Sequence, residues 1–284
     1  MRTLAYRWIG AALALAGAAL TLAGAGTTAE GQSLERIARD ADAPVRLGYP
    51  AAHNVCGTGD GILIRDPDGS IVFTTGRTSV SDWRRWREGD PSCETGDVVV
   101  RMWPEGDGWT DVRVAVGEPA CDRAAPAARV MHDLGYVTGQ AAADFLLNAA
   151  RASGSRAARD LILAAAIAGD AEIWPELLDM ARDRSLASRT RKSALHWLGR
   201  CAAREAVAGL GGMVRDRTED DEIREAAVFG LSQLPDDQAV PMLIDIVRTM
   251  DDARVINRAL FWLAEFDDPR AVAVFEEILA GPGA

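Results

Sequence analysis

The sequence is poor in the residues on which enzymes most often build their chemistry. Its 284 residues include three histidines and four cysteines, too few for elaborate histidine-based metal or acid–base work. Lysine is nearly absent: Lys192 stands alone among 31 basic residues, and the rest are arginine. Positive charge is outnumbered by 42 Asp and Glu, for a formal net charge of −11. That balance argues against nucleic acid or an anionic membrane as partner, since both need clustered cations. No H-E-x-x-H, G-x-S-x-G, Walker or paired C-x-x-C pattern occurs, so nothing points to a catalytic, cofactor or metal site. Past the N-terminus, no apolar run reaches the ~18 residues of a membrane span. The composition that remains, 48% hydrophobic and 26% charged, is that of a folded chain.

The N-terminus is read as an export signal, residues 1–25. Arg2 and Arg7 precede an apolar run from Ile9 to Leu22, and Ala23-Gly24-Ala25 matches a small-residue cleavage site. No Cys follows to carry a lipid and no Arg pair precedes. The expectation is a periplasmic or secreted protein, with residues 26–44 as a linker.

From 45 to 117 the pattern changes to a small antiparallel β domain. Val45 to Tyr49 alternates apolar residues with others. Ile62 to Arg65 and Ser70 to Thr74 flank Asp66-Pro67-Asp68-Gly69, a hairpin signal. Asp97 to Trp103 and Trp109 to Val116 flank the turn Pro104 to Gly108, a second one. Five strands make a thin core that needs a staple or a neighbour. Cys56 and Cys93 supply the staple if the chain is exported. Such a bridge is worth about 3–4 kcal/mol in the chain-entropy view. Cys121 and Cys201 are the remaining pair; Cys201 falls at an apolar helical position and reads as a buried free thiol, with a bridge to Cys121 as the alternative.

Several weak signals in this region resolve as structure. Ala51-Ala52-His53 resembles the histidine region of chymotrypsin-like proteases, but no Gly-Asp-Ser-Gly-like turn supplies a nucleophile. Gly57 to Gly61 opens a strand, where no helix N-terminus can cradle phosphate. Asp66 and Asp68 lack the ligand run of a calcium loop. The segment Trp83-Arg84-Arg85-Trp86-Arg87 is less bland. Its alternating indoles and guanidiniums suit a glycan or an acidic peptide, the alternative functional reading.

After a helical linker, 118–154, in which Thr138 caps an amphipathic stretch from Gln140 to Ala152, the chain repeats itself. Residues 158–183 align with 191–216 and 224–249 at an offset of 33, and with 256–279 at a further 32. Leu161, Ala194, Ala227 and Ala259 form one column. Leu163, His196, Phe229 and Phe261 form a second, which makes His196 a core or interface histidine. Trp174, Val207, Val240 and Val272 form a third, and Leu177, Leu210, Leu243 and Phe275 a fourth. Two helical patterns per period mean stacked helix pairs. The A helices are expected over 155–168, 188–201, 220–233 and 252–265, and the B helices over 171–183, 203–216, 237–249 and 269–280. Asp170, Asp236 and Asp268 stand at the turns between them, as caps.

The stretches Asp221 to Leu231 and Asp237 to Ile244 resemble the HEAT repeat, in the short form also found in phycobilisome-lyase-like proteins. Residues 251–279 are similar, and 188–216 more weakly so. The resemblance implies an α–α superhelix, an all-α solenoid over 155–284, whose B helices line a concave protein-binding surface. It does not imply lyase activity, because HEAT units serve many functions. The fold class is therefore α+β, and the expected partner is another protein. Two features of the B helices are candidates for holding it. Arg182, Arg215 and Arg248 recur near helix ends, as dipole caps or as a ladder for acidic groups. Gly209 and Gly212, with Gly211, stand where other repeats carry side chains: either tertiary packing tolerates a weak helix there or a neighbour lies close against it, or they leave a dent that a partner can enter.

Overall fold

The computed structural model describes residues 29–40, 43–58, 61–65, 71–75, 96–106, 108–117, 131–201 and 204–280. The export segment, Cys93, Cys121, the Asp66–Gly69 turn and Trp83–Arg87 lie outside them.

The alternating apolar residues of β1 (Val45–Pro50) put Val45, Leu47 and Tyr49 on one face, and all three are fully buried. β1 lies antiparallel to β5 (Asp97–Glu105), with Leu47 opposite Val100 and Tyr49 opposite Val98. β5 turns back into β6 (Gly108–Val116), where Val112 and Val116 extend the apolar row. The hairpin turn is tighter than the expected Pro104–Gly108. Strand pairing runs out to Glu105 and Gly108, and Gly106 takes the positive φ, +58°. Pro104 is tolerated inside the pairing because a register shift falls beside it.

Three further elements correct the sequence reading. β7 (His132–Tyr136), inside the segment taken as a helical linker, lies parallel to β1 at the sheet edge, giving the order β6-β5-β1-β7. The β region is thus mixed, not antiparallel, and extends to Tyr136. β2 (Val55–Thr58) joins β3 (Gly61–Arg65) and β4 (Ile71–Thr75) in a second, three-stranded sheet. α1 (Ala29–Asp40) occupies the expected linker and buries Leu34 and Ala38. β7 escaped notice because its side chains are mostly exposed and polar. Its extended state comes from β1's open edge, not from its own pattern.

The remaining helices are α2 (Gly139–Arg151), then four pairs. The A helices are α3 (Ser155–Ala166), α5 (Ser188–Gly199), α7 (Asp221–Ser232) and α9 (Ala253–Leu263). The B helices are α4 (Trp174–Arg182), α6 (Arg204–Arg215), α8 (Asp236–Thr249) and α10 (Pro269–Ala280). Each lies within three residues of its expected bounds. Thr138 caps α2 by accepting the Ala141 N–H at 3.2 Å, and Asp268 caps α10 through the Arg270 N–H at 2.7 Å. Asp170 does not cap: it holds a left-handed φ of +56° in the turn before α4. Asp236 is the first residue of α8, after Pro235, and makes no capping bond.

The sheet and the array are joined through backbone. The Ala52 N–H donates to the Ile167 carbonyl at 2.9 Å, and the Gly169 N–H to the Pro50 carbonyl at 2.8 Å. The Tyr49 hydroxyl, buried on the sheet, donates to the Ala164 carbonyl of α3 at 2.7 Å. A Cβ on Gly139 would meet the Gly169 carbonyl oxygen at 1.8 Å, so only glycine permits this approach. One continuous hydrophobic core runs from β1 through α2 and α3 into the last repeat. This neighbour gives the small β region the packing it could not supply alone.

Candidate partner-binding surface

Successive repeats are held together by arginine clamps that the sequence reading missed. Arg191 on α5 donates from Nε to the Ala181 carbonyl at 2.8 Å, and its guanidinium grips Glu219, which stands just before α7. Arg224, 33 residues on, donates from Nε to the Val214 carbonyl at 3.1 Å and pairs with Asp252 at 2.5 Å. Each arginine thus reaches a carbonyl ten residues back and an acid 28 ahead. Burial tends to raise the Glu219 carboxyl. The Arg191 hydrogen bond, the Asp220 N–H and the charges of Arg191 and Arg184 nevertheless hold it below the usual range. The spacing was available in the sequence; the signal that both arginines were buried was not.

Exposed charges are used between repeats too. Arg254 meets Asp221 at 2.7 Å, Arg258 meets Glu225 at 2.6 Å, and Arg217 meets Asp251 at 2.7 Å. The B-helix arginines follow the same rule. Arg215 donates to the Gly211 carbonyl of its own last turn at 3.1 Å and to Asp245 of the next B helix at 2.5 Å. Arg248 donates to Glu277 of the next B helix at 2.8 Å. Two members of the expected ladder are therefore helix caps or inter-repeat links, engaged within the chain.

Arg182 differs. The acid column that serves the other two is Asp245 and Glu277, and its counterpart in α6 is Gly212. Arg182 is exposed and makes no ion pair among the described residues. The expected dent shrinks to this one position. Gly209 is buried against Leu178, whose Cδ1 would lie 2.6 Å from an added Cβ, so a neighbour already fills its space. Gly211 lies under Arg215 and Met242, whereas a Cβ on Gly212 would meet nothing within 4 Å.

On the A helices, His196 stacks on Phe229 with ring centroids 5.4 Å apart, and Phe229 meets Trp262 at 5.0 Å. The second column is thus not a uniform core: Leu163 is buried, His196 and Phe229 are half-buried, Phe261 is exposed, and the stack passes from Phe229 to Trp262 beside the column. Burial first, and then the Arg200 charge, lower the His196 pKa to about 4, so the ring is neutral near neutral pH. Cys201 is a free thiol whose S–H donates to the Trp197 carbonyl at 3.4 Å. Burial pushes it up to about 11, against the Arg200 charge, which makes it a poor nucleophile. Cys56 is buried on β2, while Cys93, its expected partner, lies outside the described residues.

Among the described residues no group of three or more His, Cys, Asp or Glu could hold a metal ion. None of their helices is long and apolar enough to cross a membrane. A family model described as HEAT repeats matches residues 174–264 and 215–283. The match covers the array from its first B helix onward and bears out the resemblance read from the repeats. No curated protein matches the sequence.

Proposed function

We propose that these HEAT repeats make the protein a non-catalytic interaction module, exported through residues 1–25, whose B-helix face holds a protein partner at Arg182. HEAT repeats suggest a protein-interaction scaffold, and one observation carries the location. Within the Arg182, Arg215 and Arg248 column, the second and third arginines are satisfied by an acid from the following repeat. For the first, the position equivalent to that acid is Gly212, where an added Cβ would meet nothing within 4 Å. A partner's carboxylate fits the missing position, bound by the same charge-assisted geometry.

Gly212→Asp tests this reading directly, because it restores the column's own acid. The variant is expected to fold at least as stably as the parent and to lose affinity capture of its partner from the exported fraction. Arg182→Glu is expected to lose capture as well. A folded Gly212→Asp variant that captures undiminished partner overturns the assignment. Export belongs to the same proposal, as does a Cys56–Cys93 disulfide that closes the β region. The alternative, a glycan or acidic-peptide site at Trp83–Arg87, predicts glycan-array binding that survives Gly212→Asp.

A further inference from the structure

The outward face of the fourth repeat departs from the pattern of the inner ones. Three of its apolar positions are better covered in earlier repeats. Ile278 is 49% exposed, whereas its equivalents Met180, Met213 and Ile246 are at most 5% exposed. Val272 is 53% exposed, whereas Val240 is fully buried and Trp174 and Val207 half-buried; Leu279 is 86% exposed, whereas Ala181 and Val214 are fully buried and Val247 half-buried. A repeat array that ends in water replaces such residues with polar ones; here they stay aliphatic. Between α9 and α10, Leu263, Phe266, Val272 and Phe275 help line a cavity of about 300 Å³.

The groups that clasp one repeat to the next have meanwhile gone. Where Arg191 and Arg224 reach forward, the fourth repeat has Ile256. Where Lys192 and Glu225 pair forward, it has Asn257, and where Asp221 does, Ala253. The face is therefore not built to receive another repeat of this kind. Its charged rim has one sign. Arg270 is neutralised by Asp268 at 2.7 Å and Glu277 by Arg248 at 2.8 Å. Glu265, Asp267 and Glu276 make no ion pair among the described residues. Two copies meeting through this face would bring acid against acid, which disfavours self-association.

We infer that the outward face of the fourth repeat is a second docking surface, for an amphipathic helix of a partner protein with an aliphatic stripe and basic flanks. The stripe seats on Val272, Phe275 and Leu279, spaced along one face of α10, with an anchor side chain in the cavity. The basic flanks meet Glu265, Asp267 and Glu276. The inference rests on the reading of the array as a protein-binding scaffold, but it uses a different surface and the opposite charge.

Titration calorimetry on the purified chain tests it with two designed helical peptides, identical in their leucine stripe, one flanked by lysines and one by glutamates. The lysine peptide is expected to bind at least about tenfold more tightly. That preference should shrink with added salt and in Glu265→Gln/Glu276→Gln. Leu279→Asp and Val272→Asp are exposed changes that leave the fold intact, checked by circular dichroism, and each should weaken binding by about tenfold or more. Equal binding of the two peptides overturns the inference, as does binding that Leu279→Asp leaves unchanged, or the absence of binding. A dimer in sedimentation that Leu279→Asp dissolves overturns it in favour of a second copy. Gly212→Asp should leave peptide binding unchanged, so either surface can fail without the other.

Discussion

Replacing Glu219 with Gln tests whether the buried clamp, and not the exposed ion pairs, holds the repeats together. Arg191 and Glu219 have side chains only 2% and 5% exposed. Gln keeps the shape and still accepts one N–H, but it leaves the guanidinium charge uncompensated where water cannot reach it. Removing one partner of a buried pair costs about 3–5 kcal/mol. The surviving bond from Nε to the Ala181 carbonyl puts this variant at the lower end, about 3 kcal/mol. For a chain of this size that corresponds to a fall in Tm of roughly 6–12 °C. Asp251→Asn, which breaks the pair of Arg217 and Asp251 with side chains 72% and 67% exposed, should cost at most about 1 kcal/mol. The Glu219 carboxyl lies below its usual range in the folded chain. Its contribution is therefore complete above the unfolded value of about 4.3 and is lost as pH falls through the lower, folded value. The deficit of Glu219→Gln should accordingly shrink in acid. Urea unfolding followed by circular dichroism, repeated from about pH 7 down to about pH 3, measures both effects. The double variant Arg191→Met/Glu219→Leu should lie within about 1 kcal/mol of the parent or above it, because no charge is stranded. A cost for Glu219→Gln below about 1 kcal/mol, or a double variant as unstable as the single one, refutes the reasoning.

Glycines in the array should respond in opposite directions. Gly199→Ala puts a Cβ 2.1 Å from the Gly230 carbonyl oxygen and should cost several kcal/mol, roughly 2–4, by forcing α5 from α7. Gly212→Ala meets open space and should gain about 0.5–1 kcal/mol; thermal melts rank the two. His196, with its pKa lowered to about 4 by burial, is neutral in the fold. It therefore contributes stability above the unfolded value of about 6.5, and that contribution fades as pH falls toward the folded value. His196→Phe should flatten this part of the stability profile, and an NMR titration that finds an unshifted imidazole contradicts it. Non-reducing peptide mapping of exported protein should find Cys56 linked to Cys93; free alkylation of both thiols without reductant rules the bridge out.

The helical half of the fold was legible because its determinants are local and repeated. Residues such as Leu161, Ala194, Ala227 and Ala259 mark the buried stripe of each A helix, and one period of 33 placed four helix pairs within three residues. The stronger hairpins were legible for the same reason, since alternation in Val45–Tyr49 and the glycine turn at Gly106 act within a few residues. The candidate partner surface was only half legible. Sequence spacing found Arg182, Arg215 and Arg248, but only the packed array separated two arginines paired with an acid of the next repeat from Arg182, whose counterpart to that acid is Gly212.

Composition, the repeat period and the turn chemistry of the chain by themselves determined an acidic α+β protein with a HEAT-like array. They did so through interactions between residues close in sequence. Tertiary structure alone decided that His132–Tyr136 is a strand, because its hydrogen-bonding partner lies on β1 about ninety residues earlier. It decided that Gly209 is filled, because Leu178 belongs to the preceding helix pair. It also decided which arginines are structural, since a guanidinium's role depends on the carboxylate and the burial that the next repeat brings to it.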